Sequence, residues 1–373
     1  MTAPLTLYGV KISMFTGKAR SYLIKQGIPF NEVAPVTPHF QTVVMPQIGR
    51  RIIPVIEFED GQILQDTSDI IDYFEAKEKQ PVPAFPDDSL AHLLSFILEL
   101  FGDEGLIRPA MHYRWNFDDQ TGSFITHGFG GWQGPDAPDE TKAQIKSTMD
   151  KFSGYLPPLG ITPDTIPEIE RAYVEILDVL EAHFSRTPYL LGAKPTLGDY
   201  AMMCSLYAHL GRDPVPAGIM KNRSPNVFRW TERMNAPHDD ISDMPYYKAT
   251  DALPDTLIDI FKYIARYFLP ELEMNVATIN AMTPAESGTR ASIHPQMSVL
   301  GFGGFKHGDV DISCAVRPMR FYMLQRVTDY FAAMSQADQA RAKDYLAPTG
   351  LVPLLTLTAK HRIARQDFQE VWA

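Results

Sequence analysis

The chain has 373 residues, enough for two domains and a substantial apolar core. Its apolar content of 45% and charged content of 21% are those of an ordinary globular protein, and its net charge of -11 argues against nucleic acid and anionic membranes as main partners. The two cysteines, Cys204 and Cys314, are far apart, so we expect no disulfide framework and a cytoplasmic location. We also expect no secretory signal and no membrane span, since no segment reaches about 20 consecutive apolar residues.

The first 80 residues predict alternating strands and helices. The pattern gives, in chain order, strand 5–8, helix 15–26, strand 29–33, a short helical piece near 40–47, strand 54–58 in a hairpin with 63–64, and helix 67–77. This order is a βαβ unit completed by a hairpin and a helix, which is the thioredoxin-like arrangement.

A proline-rich stretch at 80–86 predicts a boundary between a first domain, 1–80, and a second domain, 87–373. The second domain is predicted to be helical, and Thr196 with Asp199 matches a capping box. Its predicted elements are a long helix at 89–115, a loop at 116–138, helices near 140–153, 164–184, 197–210, 225–234 and 253–282, either a β-hairpin or a glycine-rich loop at 298–316, and a helix at 319–334.

An apolar run at 52–58 contains a proline and is followed by a polar helix start at Asp66 and Thr67. Pro54 lacks an N–H and so marks the beginning of a strand. If the bond from Ile53 to Pro54 is cis, the Ile53 backbone turns its polar groups outward, where an extended peptide can pair with them. The start of the next helix favours a carboxylate. Together these features predict a pocket for a small anionic peptide.

Ser13 lies between the first strand and the first helix. Its O–H could donate a hydrogen bond to a bound thiolate and, with the helix N-terminus, lower the thiol pKa by about one to two units. The alternative is that Ser13 only caps the helix. The neighbouring peptide-pocket motifs favour the first interpretation.

In this order and spacing, the motifs resemble those of the glutathione transferase superfamily. The residues that carry the resemblance are Leu7-Tyr8-Gly9, Ser13, Lys18-Ala19-Arg20, Ile53-Pro54-Val55, Asp66-Thr67 and Pro195-Thr196-Leu197-Gly198-Asp199-Tyr200. The chain is similar to serine-type, bacterial-like members over residues 4–77 and, less closely, 89–235. The resemblance implies an α/β thioredoxin-like N-terminal domain and an all-α C-terminal domain, here with an atypical extension from about 250.

The resemblance also implies a glutathione site. Ile53 and Pro54 would pair with the cysteinyl part, Thr67 and the helix N-terminus would hold the γ-glutamyl carboxylate, and Asp66 would hold the ammonium group. Arg51 would hold the glycyl carboxylate, although two arginines and an extra residue replace the single lysine or glutamine of many members.

By the same resemblance, Ser13 would activate the glutathione thiol, while Met14 stands where many members have proline. Members with cysteine at this position carry out thiol–disulfide exchange, which requires a protein thiolate that this position lacks. Tyr8 is a rival activator, because other members use a tyrosine from the first strand. It ranks below Ser13, since its strand is predicted to be buried.

Met14, Arg108, His112 and Trp115 would form the pocket for the second substrate, an anionic or aromatic compound. An equal alternative is that the polar end of the long helix forms a buried salt-bridge network joining the domains. We predict that the extension packs against the helical domain and caps or narrows the second-substrate cleft.

We therefore expect a cytoplasmic, homodimeric enzyme of detoxification. It would use glutathione, without a metal, against a small hydrophobic or aromatic electrophile, by conjugation, reductive displacement or ether cleavage. The alternative is a non-catalytic binding or scaffold protein of the same fold, since fold does not imply function. The presence of Ser13, the Ile53–Pro54 pair and the Asp66–Thr67 pair favours a working pocket.

Overall fold

The computed structural model describes residues 4–130, 133–250, 252–293 and 298–373. The first part contains, in chain order, β1 (Leu5–Tyr8), α1 (Met14–Gln26), β2 (Phe30–Val33), α2 (Met45–Ile48), β3 (Val55–Glu57), β4 (Ile63–Gln65) and α3 (Thr67–Lys77). The four strands form one sheet in the order β2-β1-β3-β4. β1 and β2 are parallel, and β3 is antiparallel to both β1 and β4. The predicted thioredoxin-like arrangement is confirmed.

Local sequence explains where the helices of this domain begin and end. α1 ends at Gly27, whose φ of 67° is a left-handed conformation that glycine adopts without steric strain. Asp66 caps α3, and its Oδ1 accepts a hydrogen bond of 3.0 Å from the Ser68 N–H. The bond from Ile53 to Pro54 is cis, and β3 begins at the next residue.

The helical part follows the proline-rich stretch. Its helices are α4 (Ser89–Glu104), α5 (Ile107–Trp115), α6 (Asp118–Gly128), α7 (Asp139–Ser153), α8 (Ile166–Phe184), α9 (Leu197–Leu206), α10 (Pro214–Arg223) and α11 (Pro225–Met234). The predicted capping box is present at the start of α9, where the Thr196 N–H donates to Asp199 Oδ2 at 2.9 Å. The sequence had not predicted α10.

Two predictions for this part are wrong. The helix predicted at 89–115 is broken at Gly105 and Leu106, where a glycine weakens the helix and Leu106 has φ of -97° and ψ of 6°. The loop predicted at 116–138 contains α6. This short helix buries only Thr121 and Ile125, so its sequence lacks the apolar period of a helix. Residues 131 and 132 of that predicted loop lie outside the described residues.

The extension comprises the residues from about 250 to the end of the chain. It contains α12 (Leu257–Tyr267), α13 (Leu269–Asn280), β5 (Gly301–His307), β6 (Val310–Val316), α14 (Pro318–Ala333), α15 (Gln336–Leu346), β7 (Ile363–Gln366) and β8 (Gln369–Trp372). The predicted hairpin (β5 and β6) and the following helix are confirmed. The helix predicted at 253–282 is two helices, because Pro270 has no N–H to donate to the preceding turn and its ring clashes with that turn, and the break falls at Phe268, whose φ is -122°.

One apolar core joins the three parts of the chain. Leu7 of β1, Leu98 of α4, Val327 of α14 and Trp372 of β8 belong to the same cluster of buried side chains. α14 packs along α4, so the extension is buried against the helical part, as predicted. Among the described residues, no helix is long and apolar enough to cross a membrane.

Candidate functional site

A cavity of about 180 Å³ lies beside the start of β3 and of α3. Pockets for small organic ligands commonly have volumes of about 300–1,000 Å³, so this cavity is small. The first domain contributes to its wall Phe15, Arg50, Ile52, Ile53, Pro54, Gln65, Asp66 and Thr67. The other lining residues, called here the extension wall, are Asp103 and Glu104 of α4 and Ser298, Arg317, Pro318, Met319, Met323 and Glu370 of the extension.

The first wall presents backbone and helix-terminus groups. Ile53 is half-buried and precedes the strand ladder, which starts at Val55. Thr67 is the first residue of α3, where N–H groups without helical partners and the helix dipole favour an anion. Asp66 brings a carboxylate to the same place. The wall therefore offers sites for an extended backbone, a carboxylate and a cation.

Ser13 lies at the N-cap of α1. Its Oγ accepts a hydrogen bond of 3.3 Å from the Thr16 N–H, so the predicted capping role is real. Accepting this bond leaves the hydroxyl hydrogen available, and no acceptor for it is present among the described residues. Ser13 is half-buried and does not line the cavity, whereas Phe15 does.

Tyr8 is occupied by a different partner. Its hydroxyl donates a hydrogen bond of 2.7 Å to Glu57 Oε2, and its ring packs on Phe40. Burial and the Glu57 carboxylate raise the pKa of the Tyr8 phenol well above its usual value. These contacts leave Tyr8 a structural role.

A buried ionic group connects the first domain to α4 and α14. Lys18 Nζ donates to Glu99 Oε1 at 2.9 Å and to Asp103 Oδ2 at 2.7 Å, and all three side chains are nearly inaccessible to water. Arg326 of α14 donates to the other Glu99 oxygen at 3.1 Å. Burial opposes the charge of Lys18, but Asp103 and Glu99 outweigh it and raise the pKa of Lys18. The ammonium group therefore stays charged in the core.

A second buried ionic group, the arginine cluster, lies between α4, α5 and the extension. It consists of Glu104, Arg108, Glu271, Arg317 and Arg320. Arg108 donates to both Glu271 oxygens, at 2.7 and 2.5 Å, and Arg320 Nη1 donates to Glu271 at 2.5 Å. Glu104 accepts from Arg320 at 3.1 Å and from Arg317. Although burial opposes it, the two arginines beside Glu271 hold the pKa of that carboxyl well below its usual range.

The C-terminal hairpin, β7 and β8, brings charged side chains to the first wall. Glu370 Oε2 and Oε1 accept hydrogen bonds of 3.2 Å each from Nη1 and Nη2 of Arg50. Arg365 donates to Asp69 at 2.8 Å and to Glu370 at 3.2 Å, and lies 3.6 Å from Asp66. The hairpin thus places an ion-pair network directly on the predicted peptide pocket.

The structure brings part of the predicted site together. Ile53, Pro54, Asp66 and Thr67 line one cavity, but Arg51 is exposed and outside it. The arginine on the wall is Arg50, the first of the two arginines that stand in place of the single lysine or glutamine of many family members.

The four residues predicted for the second-substrate pocket do not line this cavity. Met14 is part of the apolar core, and Arg108 is fully paired with Glu271. His112 is buried, with Nε2 2.9 Å from Glu170, and Trp115 packs on Phe129. For Arg108 the ion pairs support the alternative prediction of a buried salt-bridge network, because the charge is already compensated by a buried carboxylate.

Sequence reasoning missed all six wall residues of the extension, which are Ser298, Arg317, Pro318, Met319, Met323 and Glu370. Glu370 is 320 positions from its partner Arg50. No local pattern connects such distant residues. The Asp103–Glu104 pair at the polar end of α4 was the one available signal.

Comparison with protein families gives matches at both ends of the first 237 residues. Residues 7–82 match the model described as glutathione S-transferase, N-terminal domain. Residues 148–237 match glutathione S-transferase, C-terminal domain. No curated protein sequence matches the chain.

Solved structures similar to this chain include two glutathione transferases and a β-etherase. A glutathione S-transferase from Methylobacterium radiotolerans, in complex with glutathione sulfonate, is 20% identical, with 68% of this chain and 100% of that chain covered and a TM-score of 0.39. Glutathione transferase GSTFuA3 from Phanerochaete chrysosporium is 15% identical, with 63% of this chain and 97% of that chain covered and a TM-score of 0.43. The β-etherase LigF from Sphingobium sp. strain SYK-6 is 17% identical, with 63% of this chain and 96% of that chain covered and a TM-score of 0.42.

Proposed function

Because this chain belongs to the glutathione S-transferase superfamily, we propose that it is an enzyme that binds glutathione and promotes attack of its thiolate on a small hydrophobic or aromatic electrophile. The observation that carries the proposal is a single cavity that joins the Ile53–Pro54 pair, the start of α3 and apolar residues of the extension. A site of this composition can hold a peptide on one wall and an apolar compound on the other. Holding the two together would supply proximity to the reaction.

The peptide would bind along the first wall. The Ile53 backbone would pair with the cysteinyl residue, as in strand addition. Thr67 and the α3 N-terminus would hold the γ-glutamyl carboxylate, and Asp66 the ammonium group. Asp66 has a geometry suited to this, since its Oδ1 accepts a hydrogen bond from the Ser68 N–H while Oδ2, within the described part of the chain, has only the longer ion pair to Arg365.

Ser13 would stabilise the thiolate by donating its free hydroxyl hydrogen to the sulfur. The helix N-terminus behind it would add to this effect. Once ionised, the sulfur forms a bond to the electrophilic carbon while the leaving group departs with its electron pair or, in an addition, the neighbouring atom takes a proton from water. Phe15, Pro318, Met319 and Met323 would hold the apolar part of the electrophile.

A second candidate is a non-catalytic binding or scaffold protein of the same fold. Two observations favour it: the cavity is small, and Ser13 does not reach its wall. The two candidates differ in whether a glutathione thiolate forms on the protein near neutral pH.

The test compares wild type with Ser13→Ala by retention on immobilised glutathione and by thiolate absorbance across a pH titration. We expect wild type to bind glutathione with a lowered thiol pKa, and Ser13→Ala to raise that pKa by about one to two units. Ser335→Ala is the matched control, since Ser335 caps α15 in the same way and does not line the cavity.

Each outcome separates the candidates. Wild type that neither binds glutathione nor shows a thiolate excludes the enzyme and favours the scaffold. Binding with a thiolate that Ser13→Ala leaves intact retains the enzyme but removes Ser13 as activator.

We also propose a homodimer that acts in cytoplasmic detoxification. Both cysteines, Cys204 and Cys314, are buried and free, as suits a reducing compartment. Sedimentation equilibrium tests the dimer directly, and a monomer over the whole concentration range would exclude it.

A further inference from the structure

The arginine cluster contains more cations than anions. Its three guanidinium groups, Arg108, Arg317 and Arg320, share two carboxylates, Glu104 and Glu271. The thiol of Cys314 lies beside Arg108 and Glu271, and burial and Glu271 raise its pKa, so it adds no negative charge. Each arginine has a carboxylate partner, so the cluster as a whole carries one positive charge in excess. The cluster would therefore be stabilised by an additional anion.

Arg317 is the arginine of this cluster that reaches the cavity. Its side chain is 26% exposed, whereas those of Arg108 and Arg320 are 4% and 3% exposed. Its Nη2 donates to Glu104, but its Nε–H is buried and has no partner among the described residues. A guanidinium group carries five N–H donors, and the hydrogen bond to Glu104 uses one of them. Donors therefore remain for a second anion.

The other arginine on the cavity wall is less available. Both terminal nitrogens of Arg50 donate to Glu370, and Nη2 also donates to Gln65 at 3.3 Å, so that among the described residues only its buried Nε–H has no partner. A carboxylate approaching Arg50 would meet the negative charge of Glu370 at close range, and like charges in contact are strongly unfavourable. Among the described residues Arg317 donates one hydrogen bond, to Glu104, whereas Arg50 donates three, so Arg317 retains more donors for an anion of the ligand.

We propose that Arg317 of the extension is an anion-binding residue of this cavity and takes a carboxylate, an inference that rests on the proposed glutathione site. Two carboxylates could occupy it: the glycyl carboxylate of glutathione, or a carboxylate carried by the electrophile. Pro318, Met319 and Met323 beside it form an apolar surface, which suits an aromatic or aliphatic carboxylate. The extension would then determine which compounds the site accepts.

The first arm of the test measures binding of glutathione and of its glycyl ethyl ester by calorimetry. If the glycyl carboxylate binds Arg317, wild type prefers glutathione over the ester by about tenfold. Arg317→Gln removes that preference, and Arg317→Lys retains part of it. Arg50→Gln, the matched change on the first-domain wall, keeps the preference at its wild-type value. In Arg317→Gln the Glu104 carboxylate keeps Arg320 as partner, which protects the fold.

The second arm compares turnover of 4-(chloromethyl)benzoate with that of its methyl ester. In both, the glutathione sulfur bonds to the benzylic carbon as the carbon–chlorine bond breaks and chloride leaves with the electron pair. If the electrophile supplies the anion, Arg317→Gln lowers kcat/KM for the benzoate by about tenfold, while kcat/KM for the methyl ester stays unchanged.

The third arm titrates 4-methylbenzoate, which has a carboxylate and no thiol. Binding that is lost in Arg317→Gln supports the anion site even if wild type binds no glutathione, in which case only the proposed function fails. The inference is overturned if Arg317→Gln leaves all three measurements unchanged, or if Arg50→Gln abolishes the carboxylate preference in its place.

Discussion

The two walls of the cavity are built in different ways. The first-domain wall presents groups that follow from local geometry: the residue before a strand and the first residues of a helix. The extension wall consists of side chains held by long-range ion pairs, such as Arg317 with Glu104 and Glu370 with Arg50. A wall of backbone groups needs only a short motif, whereas a wall of charges needs a whole fold to hold its partners. The first wall is therefore visible in the sequence and the second is not.

The buried ionic group that joins the walls gives the largest expected effect. Lys18→Met leaves Asp103 without its ammonium partner in the core, so we expect a loss of about 3–5 kcal/mol in the free energy of unfolding by urea denaturation. Lys11→Met is the control, since Lys11 pairs with Glu32 at the surface and is 57% exposed. Equal losses in the two variants would mean that the buried group does not bind the walls together.

On the extension side, Glu271→Gln leaves Arg108 and Arg320 without their shared carboxylate. We expect a loss of about 3 kcal/mol in unfolding free energy, because the buried Arg108 guanidinium loses its counter-ion and Arg320 keeps only Glu104. Glu273→Gln, an exposed position on the same helix, should change stability by less than about 0.5 kcal/mol. If Glu271→Gln is as stable as wild type, the cluster is not the support of the extension wall.

Acid should weaken the extension through His307. Burial, with help from Arg108, lowers the pKa of His307 to about 4 from its ordinary 6.5. Between these values the unfolded chain binds the proton and the folded chain does not, so stability falls as pH falls from 6.5 to 4. The loss is about 2 kcal/mol at pH 5.

The measurement is urea denaturation at several pH values for wild type and His307→Gln, with His127→Gln, an exposed histidine, as control. His307→Gln should reduce the slope of stability against pH, and the control should keep it. An unchanged slope in His307→Gln would show that the extension does not carry this proton linkage.

The smallest effect is expected on the first-domain wall. Asp66→Asn removes the charge proposed to hold the glutathione ammonium group but keeps a good N-cap, so we expect about tenfold weaker glutathione binding with little change in stability. Asp88→Asn makes the same change at the N-cap of α4, outside the cavity. Calorimetric titration of both variants checks the assignment, which fails if both bind equally well.

The sequence predicted the first domain well and the extension unevenly. Leu5–Tyr8, Gly27 and the Asp66–Thr67 pair carry their own signals, because strand period, left-handed glycine and helix capping act over a few residues. The polar helix α6 was missed because its apolar period is weak. The break near Pro270 was missed because the apolar period continues through it. Arg108 and His112, predicted for the second-substrate pocket, do not line the cavity, because their side chains bind Glu271 and Glu170. These partners lie far along the chain, so no local pattern indicates them.

By itself, the sequence determined the thioredoxin-like order of elements, the Ile53–Pro54 turn before β3 and the anion-favouring start of α3, because each depends on residues close in the chain. The tertiary structure alone decided that Arg50 and not Arg51 lines the cavity, that Glu370 pairs with Arg50, and that Arg317 belongs to the extension wall. Charges find their partners through space, and only the packed core that joins β1, α4, α14 and β8 brings these side chains together.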